Sequence, residues 1–117
     1  DNKKSQLKQK EWKAQLEATE ANYEWTKNAF DLQIESEIEN LRSDIALYNS
    51  FTDLLKTNER FYQETVRRYK EGLSNYIELL DARTEVTSKK KKKNLAKYQS
   101  WIRHINIERM AASTSIE

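Results

Sequence analysis

Glu78 and Asp81 lie three residues apart in the run Asn75-Tyr76-Ile77-Glu78-Leu79-Leu80-Asp81, a spacing that sets both carboxylates on one face of a helix. Several copies of such a pair converging on an axis make a cation-attracting ring. In a single chain the same acids complement a helix N-terminus, and Glu78 three residues after Asn75 completes a capping box. Sequence periodicity is compatible with both uses. His104 is the only histidine and cysteine is absent, so neither a metal ligand set nor a base held beside a serine or threonine is in view. The expectation is a chain with no catalytic residue, no metal and no cofactor.

Lys89 to Lys93 form a run of five lysines, a composition suited to nucleic acid or anionic lipid. Five consecutive helical residues point in every direction, however, and no aromatic is interleaved to stack on bases. Charge is also distributed oppositely along the chain. Residues 83 to 109 carry nine basic side chains against Glu85 and Glu108, whereas residues 17 to 44 carry eight acids against Lys27 and Arg42. Opposite bias favours pairing within the chain or between subunits over a charged external ligand.

The elements that must position these residues follow from one glycine. Gly72 is the sole glycine and there is no proline, so the chain has one ready place to leave a helix through the left-handed conformation. Apolar residues recur at Leu7, Leu16, Tyr23, Phe30, Ile34, Ile38, Leu41, Ile45, Tyr48, Leu55, Tyr62 and Tyr69, mostly at gaps of three, four or seven, a heptad-like stripe. After the turn a second stripe runs through Ile77, Leu80, Thr84, Thr87, Lys91, Leu95, Tyr98, Ile102 and Ile105. The reading is an all-α, coiled-coil-like antiparallel hairpin in one unit over 1–117: a helix over about 3–70, a turn over 71–75, and a helix over about 76–112 with an irregular tail. The weak helix formers of Tyr48 to Asp53 mark where the first helix could break, giving a three-helix bundle instead.

With 37% hydrophobic and 34% charged residues the composition suits a thin bundle rather than a thick core, and a net charge of +2 gives no overall pull toward nucleic acid. No apolar run approaches a membrane span, and the N-terminus lacks the apolar stretch of a signal peptide. The shorter second helix can cover only the half of the first nearest Gly72. Leu7, Trp12, Leu16, Tyr23, Trp25 and Phe30 then need another partner.

The stretch Arg68-Tyr69-Lys70-Glu71-Gly72-Leu73-Ser74-Asn75-Tyr76-Ile77-Glu78-Leu79-Leu80-Asp81-Ala82-Arg83 closely resembles the signature of the TolC-like outer membrane factors, the outer membrane efflux protein family. The order of long helix, turn and shorter helix resembles that family's second repeat. The resemblance implies a homotrimeric α-helical barrel in the periplasm of a Gram-negative bacterium, below an outer membrane β-barrel whose strands this chain lacks. Membrane contact would come only through those missing strands. It further implies that Tyr69, Glu78 and Asp81 narrow and gate the channel entrance. Gly72, Leu73, Ser74 and Asn75 would form the tip turn that meets a periplasmic adaptor, itself joined to an inner membrane transporter. Ser74 departs from members that carry an arginine there to hold the entrance closed. The expected function is an export duct for efflux or type I secretion, and the alternative is a soluble scaffold binding anionic partners through Lys89 to Lys93.

Overall fold

The computed structural model describes residues 1–114. Two helices account for nearly all of them: α1, Asn2–Lys70, and α2, Tyr76–Thr114. The chain divides into two units, residues 1–36 and residues 37 onward. In the first, only Phe30 and Ile34 are even half-buried. Leu7, Trp12, Leu16, Tyr23, Trp25 and Leu32 are all exposed, the two tryptophans by more than 70%. The second unit holds an antiparallel helical hairpin, an all-α fold.

Residues 48–53 remain helical, so the three-helix alternative does not form. Their weak propensity is overridden by packing. Tyr48, Phe51 and Thr52 are half-buried and Leu55 is buried, and the Thr52 hydroxyl donates to the Tyr48 carbonyl at 2.9 Å. At the other end α2 runs two residues past its expected stop. Ala111 and Ala112 are good helix formers, and the hydroxyls of Ser113 and Thr114 turn back onto the carbonyls of Arg109 and Ala111. Residues 115–117 of the tail expected to be irregular lie outside the described residues.

The hairpin seam keeps a strict heptad on both sides. On α1 the covered positions are Glu37, Leu41, Asp44, Tyr48, Phe51, Leu55, Asn58, Tyr62 and Thr65, with Ile38 beside them. On α2 they are Leu79, Ala82, Val86, Lys89, Lys93, Ala96, Ser100, Arg103, Ile107 and Met110, at alternating gaps of three and four. Of the α1 stripe expected from sequence, Ile38, Leu41, Tyr48, Leu55 and Tyr62 face the seam, whereas Ile45 and Tyr69 are exposed, as are Leu7, Leu16 and Tyr23 in the first unit. The α2 stripe does not face the seam. Ile77, Leu80, Leu95, Tyr98, Ile102 and Ile105 are exposed, as are Thr84, Thr87 and Lys91.

The face that α2 turns to α1 has a packing cause. Hydropathy selects the largest apolar side chains, but two helices approach closely through small ones, and Ala82 and Ala96 sit in the seam at 3% exposure. At 100° per residue, the line through Leu95, Tyr98, Ile102 and Ile105 falls on the opposite side of α2. α2 thus has two faces: a mixed one toward α1, where Ala82, Ala96, Ser100 and charged residues alternate with Leu79, Val86, Ile107 and Met110, and one away from it that exposes Ile77, Leu80, Leu95, Tyr98, Ile102 and Ile105.

Two substitutions test this assignment of faces. Ala96→Leu overpacks the seam and costs about 1–3 kcal/mol, whereas Leu95→Ala, on the outer face, shifts the stability of the isolated chain by less than about 0.5 kcal/mol. Urea unfolding followed by circular dichroism measures both; an equal loss at Leu95 would reverse the faces. Gly72→Ala forces an L-residue to positive φ and is expected to cost about 1 kcal/mol, with Gly72→Asn milder.

Candidate functional site

At the end of α1, Gly72 adopts φ 75°, its N–H donates to the Tyr69 carbonyl at 3.0 Å, and the Leu73 N–H donates to the Arg68 carbonyl at 2.8 Å. This pair of bonds is the Schellman motif, and it needs the left-handed residue where the lone glycine stands. No atom lies within 4 Å of where a Cβ on Gly72 would sit, so backbone conformation alone demands glycine. Arg67, Arg68 and Lys70 in the last turn of α1 complement its dipole, and Arg67 Nη1 pairs with Glu71 at 3.0 Å.

Asn75 opens α2. Its Oδ1 accepts the Glu78 backbone N–H at 2.8 Å, and the Glu78 carboxylate in turn accepts from the Asn75 backbone N–H, closing the capping box. The Ser74 hydroxyl also donates to Glu78 Oε2. That bond first, then the Asn75 N–H and the charge of Arg68, hold the Glu78 carboxyl below the ordinary carboxylate range against an opposing effect of desolvation.

Among the candidate gate residues, then, Glu78 is committed to shaping the turn. Asp81, one turn further, is exposed and has no hydrogen-bond or ion-pair partner among the described residues. Tyr69 is 42% exposed, and no hydrogen bond joins it to either acid among the described residues. Of the candidate adaptor contacts, Gly72, Leu73 and Asn75 are exposed and Ser74 is half-covered. Around them Leu73, Tyr76 and Ile77 are each more than 60% exposed, an apolar crown on the turn.

A second polar constellation was not anticipated. Arg103 of α2 reaches across the seam to two acids of α1, with Nε 2.5 Å from Asp44 Oδ2 and Nη1 2.9 Å from Glu37 Oε2. Hydrogen bonds to Asp44 first and then Glu37 raise the Arg103 guanidinium above its ordinary value. Nearby, Lys93 lies 5.8 Å from the centre of the Tyr48 ring and Lys92 6.0 Å from that of Phe51, within cation–π range. Lys89, 17% exposed, pairs with Glu85 of its own helix at 3.4 Å. The lysine run is thus partly folded into the seam, leaving Lys90 and Lys91 exposed and unpaired among the described residues.

The opposite charge bias of the two helices yields cross-helix ion pairs only at Arg103 among the described residues. A signal for them existed, since Glu37 and Asp44 are acids one heptad apart between Phe30 and Phe51 on the same line. His104 is exposed and its Nε2 lies 3.0 Å from Glu108 Oε1, a carboxylate partner that sequence spacing had not singled out. No group of three or more His, Cys, Asp or Glu among the described residues is placed to hold a metal ion, and no helix is long and apolar enough to cross a membrane.

No family model, curated protein or solved structure matches the chain. The functional reading therefore stands on the residues themselves.

The cap makes a pH prediction with a definite sign. The folded-state value of Glu78 is depressed, so its contribution to stability is complete above its unfolded value and is lost as pH falls through the folded one. Amide exchange at Ser74 to Leu79 should accelerate over that acidic window, and Glu78→Gln should abolish the dependence. A turn whose exchange in the variant keeps the parent's pH profile would assign the transition to another group.

Proposed function

We propose that the chain is a helical segment of an outer membrane efflux or secretion duct of the TolC-like kind. On this reading the segment stands in the periplasm as part of a homotrimer, its turn meets a periplasmic adaptor and its acids line the entrance. It carries out no catalysis and needs no cofactor or nucleic acid; energy comes from the inner membrane transporter beyond the adaptor. The observation that carries the reading is the exposed apolar face of α2 opposite its seam. A helix that already packs through one side and exposes large apolar side chains on the opposite side covers both only when it lies between two neighbours, as in the wall of a helical barrel. α1 supports the same reading through Leu47, Leu54 and Phe61, exposed and spaced by sevens.

The turn is suited to docking. It is fixed by backbone bonds rather than by side-chain packing, and it presents Leu73, Tyr76 and Ile77 to solvent. A preorganised apolar knob binds with little ordering cost. The competing scaffold reading has less support, because Lys89 pairs with Glu85 and Lys92 and Lys93 lie over aromatic rings of α1.

Because Glu78 is held in the cap, Asp81 is the acid free to meet a passing cation. In the complete trimeric protein reconstituted in planar bilayers, Asp81→Asn should reduce cation selectivity and weaken block by multivalent cations more than Glu78→Gln does. Unchanged conductance and unchanged block in both variants would remove the acids from the entrance.

A further inference from the structure

Three acidic or cationic groups in the seam of a two-helix hairpin are an expense that apolar residues would avoid. Asp44, Glu37 and Arg103 have side chains only 13%, 29% and 26% exposed. Desolvating such groups consumes much of what their attraction returns, and comparable triads replaced by apolar side chains often leave proteins equally or more stable. What a polar group at a seam position does reliably is specify how helices pair.

The neighbouring residues show what needs specifying. Ala96 and Ser100 precede Arg103 in the α2 seam, and side chains so small interlock weakly, leaving alternative alignments close in energy. On α1 the same heptad line reads Phe30, Glu37, Asp44, Phe51. Arg103 grips the two middle residues, about 10 Å apart along the helix axis at 1.5 Å per residue. A shift of one heptad toward the turn would set the guanidinium between Asp44 and Phe51, and a shift away from it between Glu37 and Phe30. Either displacement gives up one charged partner and strands a carboxylate against an apolar line. Phe51 is also already taken by Lys92, which a slide would dislodge.

We infer that Arg103, held between Glu37 and Asp44, is the register lock of the hairpin. It selects one alignment of α2 on α1 at a cost in stability. The turn at Gly72 sets the alignment beside itself; the lock sets it some thirty residues further on, where the influence of the turn has faded through the softness of the small-residue seam. This goes beyond the duct reading and does not rest on it, since it concerns one chain alone.

The chain has no cysteine, so spin labels at Ser43→Cys and Gln99→Cys, both exposed, report the alignment by pulsed electron resonance. The parent should give one narrow distance distribution. The apolar variant Glu37→Leu/Asp44→Leu/Arg103→Met should melt no lower than the parent yet show a second population, displaced by about one heptad or 10 Å along the axis. Arg103→Met alone, which leaves two carboxylates unpaired, should melt lower than both. The reversed set Glu37→Arg/Asp44→Arg/Arg103→Glu should recover the single narrow distribution, and it decides the matter if the apolar variant fails to fold. An apolar variant as narrow as the parent, or a reversed set that stays broad, overturns the lock.

Discussion

A pair of helices has one seam between them, and every side chain outside it meets water or another molecule. This geometric limit governs the whole hairpin. Among the described residues, the apolar side chains Leu55, Ala82, Val86 and Ala96 are buried but still 3–9% exposed, together with Thr65 at 5%. Burying Leu55 contributes roughly 1.5–3 kcal/mol, and each alanine much less. So thin a core cannot choose among alignments by packing alone, and the tasks that a globular core performs in one place are divided along the chain. Backbone bonds and a capping box define the reversal. Arg103 and its two acids, with Lys92 and Lys93 over aromatic rings, hold the far part of the pairing.

The same limit explains why α2 is partly inverted, with Ala82, Ala96, Ser100, Lys89, Lys93 and Arg103 in the seam beside Leu79, Val86, Ile107 and Met110, while Ile77, Leu80, Leu95, Tyr98, Ile102 and Ile105 stand outside. In a solitary hairpin that arrangement wastes hydrophobic surface. It becomes economical when the outer face is also an inner face, pressed against a helix that belongs to something else. Small residues on one side then let the hairpin helices close up, and large ones on the other fill the wider spacing toward a neighbour. The lysines fit the same logic, because their long stems cover apolar surface while their charged ends find an aromatic face or a carboxylate.

Much of this was legible in the sequence, for reasons that particular residues make plain. The turn could be read because Gly72 stands alone in a chain without proline, and because Asn75 and Glu78 form a capping pair whose mechanism is local. The face of α1 could be read because its seam residues are also its large apolar ones, Leu41, Tyr48, Leu55 and Tyr62. On α2 these two properties separate, and hydropathy followed the wrong one. Nothing local to α2 states that Ala82 and Ala96 face α1; that choice depends on the shape of the other helix, which becomes available only when both are placed together. Tyr48 to Asp53 misled in a milder way, since propensity is a weak local preference and Leu55 is anchored by contacts from a distant part of the chain. The role of Asp44 and Glu37 was hidden because an acid on a seam line looks like a defect until its partner, 59 and 66 residues away, is known.

Glu78 and Asp81 illustrate how local chemistry divides work between similar groups. Both are carboxylates on one helix face, yet Glu78 accepts bonds from Ser74 and the Asn75 backbone while Asp81 has no such partner among the described residues. A carboxylate already satisfied by donors attracts a cation less, because its lone pairs are occupied and a cation must compete with bonds already made. A carboxylate in water keeps its full capacity. If several copies gather around an axis, the field at their centre therefore comes chiefly from Asp81. Glu78 would set where such a ring sits, by fixing the first turn of the helix that carries it. The longer acid, whose extra methylene lets it reach back to its own helix start, serves the structure. The shorter one, which cannot reach back from its place a turn further on, is left to the solvent.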